Sequence, residues 1–139
     1  MRLRLSATLL LALAAACATG GRPGDPDDSP SIVGSYLLRR IDNRALPTYS
    51  PTEPNVTVMA GSLMLGNGGA FTMSLLARNS PQTPPAEHIV RGSYVSEGDS
   101  IITVTPTDDR RPMTFRAARA GVQLTLRGDD GHRYEFVIR

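Results

Sequence analysis

The sequence predicts an all-β domain, an eight-stranded antiparallel up-and-down barrel over residues 32–139, behind a signal peptide and a tether. Three observations predict it. From Ile32 onward, runs of β-favouring residues alternate with clusters of Gly, Asn, Asp and Pro, and no stretch shows sustained helical apolar spacing. Most of those clusters are short and hold residues that tolerate positive φ, so the strands they join are antiparallel neighbours. A meander of eight short strands closes on itself to remove its unpaired edges.

The N-terminal segment is read first. Arg2 and Arg4 precede an apolar run, Leu5 to Ala16, interrupted only by Ser6 and Thr8, which is the layout of a secretory signal over residues 1–16. A run of about a dozen residues is too short to span a bilayer, which needs about 20. Leu13-Ala14-Ala15-Ala16-Cys17 follows and resembles the lipobox of bacterial lipoproteins, which implies a lipid on Cys17 and a membrane-anchored chain. Cys17 is the only cysteine, leaving no disulfide, no cysteine metal site and no thiol elsewhere to act as nucleophile. Ala18 stands where an Asp would mark inner-membrane retention in some bacteria, so the expected location is the outer membrane, facing the periplasm. Residues 18–31 contain no large apolar side chain and read as a flexible tether, giving segments 1–16, 17–31 and 32–139.

The domain then divides into predicted strands over 33–41, 55–65, 70–78, 87–96, 100–105, 112–119, 122–127 and 133–139. Turn signals at 66–69, 97–99, 120–121 and 128–131 support this order. Alternation is clean in the last two strands, where Val122, Leu124 and Leu126, then Tyr134, Phe136 and Ile138, share a face. It is broken earlier, at Leu37-Leu38, Met64 and Leu75-Leu76, which suggests a first half covered on both sides or touching a membrane or partner.

Charge excludes one class of function. The mature chain has 13 arginines after loss of Arg2 and Arg4 (15 − 2), no lysine, and 13 Asp and Glu, and its basic residues are scattered. It carries no nucleic-acid footprint. His88 and His132 sit at turn edges without metal-ligand spacing, and Asp108-Asp109 and Asp129-Asp130 are adjacent carboxylates that point apart on extended chain. With no nucleophile elbow and no serine–histidine pairing, no enzyme, metal or cofactor is expected.

Gly34-Ser35-Tyr36 on the first strand resembles the Gly-x-Trp of lipocalin-like barrels, with Tyr in place of Trp. The chain is more closely similar to small bacterial lipocalin-like lipoproteins. The motifs that carry this likeness are Gly34-Ser35-Tyr36-Leu37-Leu38, Ile41-Asp42 with Leu46-Pro47, Gly61-Ser62-Leu63-Met64-Leu65, Gly69-Ala70-Phe71, Gly92-Ser93-Tyr94 and Tyr134-Glu135-Phe136-Val137-Ile138-Arg139. The resemblance implies that Gly34 and Tyr36 plug the closed end, with an arginine across the ring, Arg139 or Arg133. It also implies that the long first loop, residues 42–54, lies over the open mouth, but it names no reaction.

Two functions remain open. A small apolar ligand inside the barrel would be held by Leu46 and Tyr49 from that loop and by Met59, Met73 and Met113, whose flexible thioethers suit variable apolar partners. Alternatively, a monomeric barrel solidly filled by its own side chains acts on a protein partner. Eight strands leave room for either, and the filled interior is the expectation.

Overall fold

The computed structural model describes residues 31–97, 100–108 and 110–139. The expected signal, the expected lipid site Cys17 and most of the expected tether lie outside the described residues, as do Gly98, Asp99 and Asp109. Ten strands follow in chain order: β1 (Gly34–Ile41), β2 (Arg44–Ala45), β3 (Thr48–Tyr49), β4 (Thr57–Leu65), β5 (Ala70–Arg78), β6 (Ala86–Glu97), β7 (Ile101–Pro106), β8 (Met113–Ala120), β9 (Gln123–Gly128) and β10 (Arg133–Ile138). Eight of them, β1 and β4 to β10, pair with their chain neighbours, and β1 pairs with both β10 and β4, so the sheet closes into an antiparallel barrel.

Register resolves the residues at which alternation looked broken. Leu38 and Tyr36 are buried while Leu37 faces out, and Leu63 and Leu65 are buried while Met64 between them is 47 % exposed. Leu75 likewise packs against the core, and Leu76 faces solvent. Bulges between Leu38 and Arg40 and between Val58 and Ala60 restore phase, so that Ile41 and Val58 again point inward. The inner layer includes Tyr36, Leu63, Leu65, Ile102, Leu124 and Phe136, all essentially inaccessible. Each contributes about 1.5–3 kcal/mol by burial.

The barrel has two unlike ends. At one, the turns around residues 66–69 and 121–122 are tight, with Gly68, Gly69 and Gly121 at positive φ. At the other lie the longer connections 42–56, 79–85 and 107–112, together with the four-residue link 129–132. The first of these is not a free loop. Asp42 (φ 49°) and Asn43 (φ 67°) form a two-residue hairpin turn that lays β2 back along β1, and β3 adds to the edge of β4. β1 and β4 pair directly only from Gly34–Leu65 to Leu37–Ser62. Beyond that they part, and β2 and β3 occupy the freed edges.

Candidate functional site

Inward-facing side chains on β4 to β6 and β8 to β10 thin out toward the long-loop end and leave a cavity of about 670 Å³. Phe71 and Phe136 form its floor. Met73, Leu75 and Val90 line one wall, and Met113, Phe115, Leu126 and Tyr134 the other. Phe115 and Tyr134 meet edge to face, centroids 6.5 Å apart at 79°, a geometry that fixes both rings. Burial, with help from the Asp130 and Asp42 carboxylates, pushes the Tyr134 hydroxyl up to about 12, so it is neutral at any physiological pH.

The rim is polar. Ser50, Thr52, Glu53, Asn79, Asp129 and Asp130 surround the opening with His88 and Arg110. Arg110 is already engaged, its Nε 3.0 Å from Asp108 Oδ2. Carboxylates therefore outweigh free positive charge at the mouth. His88 lies near the start of β6, inside the strand expected over 87–96, and stands opposite Leu75. His132, at a turn edge and expected without metal-ligand spacing, meets a carboxylate from a distant part of the chain: its Nδ1 is 2.9 Å from Asp42 Oδ2. That pairing spans 90 residues and has no signature at local spacing. Burial works to raise the Asp42 pKa, but the Arg133 and His132 hydrogen bonds and the nearby His132 and Arg44 charges outweigh it and hold it below the ordinary carboxylate value.

The interior thus departs from the filled barrel expected from sequence. The closed half is packed, and the open half is hollow, because Gly128 and the partly buried Met73, Leu75 and Met113 do not reach across. Of the five residues picked for the ligand, Met73 and Met113 line this cavity. Leu46 and Met59 line a separate outer groove of about 600 Å³ at the parting of β1 and β4, with Leu37, Leu38, Arg39 and Arg40. Tyr49 lines neither; it is 64 % exposed, paired with Thr57 and pointing away from the barrel axis. The remaining lining residues escaped sequence reading because ordinary core apolars and cavity apolars have the same period.

At the closed end, Gly34 lies against the Tyr36 ring, where a Cβ would meet it at 3.4 Å. The Tyr36 hydroxyl donates to the Ile32 carbonyl at 2.6 Å. Burial raises its pKa, against the opposing pull of a guanidinium, and that guanidinium belongs to Arg119. Arg119 faces inward opposite Leu124, donates Nε–H to the Gly121 carbonyl at 3.1 Å and also bonds the Ser31 carbonyl. Arg133 is at the far end of the barrel, paired with Glu135. Arg139 is exposed, and its backbone N–H donates to Ser35 O at 2.9 Å, extending the β1–β10 ladder.

No family model, curated protein or solved structure matches this chain. Its function therefore rests on the residues themselves. Among the described residues, no group of three or more His, Cys, Asp or Glu side chains is placed to hold a metal ion.

Proposed function

We propose that the chain is a lipid-tethered, lipocalin-like envelope protein whose barrel carries a small apolar molecule. The closed eight-stranded antiparallel barrel is compatible with that fold. The cavity of about 670 Å³ carries the reading. Binding clefts for small molecules run from about 300 to 1,000 Å³ and are mainly apolar with a few polar groups at one end, as here. The reading is non-enzymatic, with an anchor at Cys17 that holds the barrel at the outer membrane on its periplasmic side.

The rim narrows the ligand. Glu53, Asp129 and Asp130 repel an anionic head group, so a neutral or cationic amphiphile is favoured over a carboxylate of the same length.

Native mass spectrometry of the protein, gently purified from bacterial extract, tests the reading. A few hundred daltons of extra mass that disappears on denaturation is the expected result. Val90→Trp intrudes into the cavity and should weaken retention of the adduct, whereas Leu76→Trp on the outer face should leave it unchanged. A bare mass in the parent protein would sink the carrier reading and turn the search to protein partners.

A further inference from the structure

The outer wall formed by β8, β9, β10 and β1 is basic in a way the linear sequence hides. Register sets Arg116 directly opposite Arg127, and Arg127 directly opposite Arg133, so three arginines stand in one row across three strands. In the next row Arg40 faces Glu135. Glu135 is the one carboxylate that these four strands carry; it is buried and bound to Arg133 Nη2 at 3.1 Å. Arg40, Arg116 and Arg127 are exposed. The opposite wall differs: Arg91 stands there among Met64, Leu76 and Ile89, with Glu87 nearby. A mature chain with balanced charge thus concentrates positive charge on one side.

That arrangement has a folding cost. Like charges directly opposite each other in an antiparallel pair are destabilising, and this row contains two such pairs in succession. Alanine or threonine, as at Ala118 opposite Thr125 in the adjoining row, would avoid it. Positions that break a local rule without a structural return are where function is expected.

We propose that this wall docks on an anionic lipid surface, the guanidinium forks of Arg116 and Arg127 engaging lipid phosphates, with Arg40 at the margin and Arg133 held within the row by Glu135 and Asn43. Arginine suits this task because its planar donors match phosphate oxygens in pairs. Neighbouring strands lie about 4.8 Å apart, so Arg116 and Arg127 present their charges side by side on the curved wall. An anchor at Cys17, part of the function proposed above, keeps lipid within reach; the arginine row decides which wall meets it. The barrel then lies on its side, and its mouth opens along the membrane instead of away from it.

Arginine modification by phenylglyoxal tests this on the full chain, bound first to vesicles of mixed phosphatidylglycerol and phosphatidylcholine, then to phosphatidylcholine alone. Each arginine is read by peptide mass spectrometry. Arg116 and Arg127 should react about fivefold more slowly on the anionic vesicles, while Arg91 reacts equally on both. Protection should vanish in about 1 M salt, where the Debye length falls to about 3 Å. Equal rates on the two vesicles, the outcome if this wall meets a protein, overturn the proposal. So does protection that extends equally to Arg91, which would mean undirected attraction. Retention on neutral vesicles through the same salt wash reports the anchor alone, so failure of the tether and failure of the docking wall are told apart.

Discussion

Tyr36 fills the closed end with an aromatic ring whose single polar atom has one named partner. Removing the hydroxyl in Tyr36→Phe leaves the Ile32 carbonyl without its 2.6 Å donor in a buried place. An unsatisfied buried acceptor costs about 1–3 kcal/mol, and urea denaturation should show a loss in that range with an unchanged slope. Asp42 gives a prediction in pH. Its native pKa is lowered, so its contribution to stability is present above the unfolded carboxylate pKa and fades as pH falls through the folded one. Asp42→Asn keeps a residue that tolerates positive φ and removes the charge. The stability gap between parent and variant should be constant near neutrality and shrink below about pH 4, followed by chemical denaturation across that range. Equal gaps at pH 7 and pH 3 would show that the carboxylate's charge does not matter.

The strands were largely legible and the first long connection was not. Alternation and turn residues placed all eight barrel strands because each is a single run bounded by Gly, Asn or Asp, the local signals that period-2 reading detects. The β2 hairpin had its signal in Asp42-Asn43, but two-residue strands bury too little to show a period, and the proline-rich stretch around them reads as loop. Arg119 was missed for a different reason: which arginine reaches Tyr36 depends on register across the barrel, not on nearness to the last strand. Close approach between strands makes its own prediction. A Cβ on Gly92 would stand 2.1 Å from the Thr105 carbonyl oxygen, a backbone atom that cannot yield, whereas one on Gly61 would meet the tips of Leu75 and Leu38 at 2.8 and 2.9 Å. Gly92→Ala should therefore cost at least the upper end of the roughly 1–3 kcal/mol typical of overpacking, and Gly61→Ala the lower end. Thermal melts of the two variants check the order, and a reversed order would mean that β6 and β7 can separate without penalty.

For the molecule as a whole, the two halves of the barrel do separate work. The closed half holds the fold together, and the open half gives up close packing for space, a trade that neither composition nor period can reveal because it depends on how far side chains reach across a ring. The pairing of β1 with β10 has a consequence in time. The first barrel strand must wait for the six-residue β10 before its second edge is satisfied, so the ring has no partial form in which β1 is fully paired. Ring closure thus waits for β10, and a barrel without Arg133–Ile138 would expose open edges on both β1 and β9, seeds for pairing with other copies of itself. β10 acts as a latch: until Arg133–Ile138 take their place between β9 and β1 the other strands form an open sheet, and once they do the ring is shut.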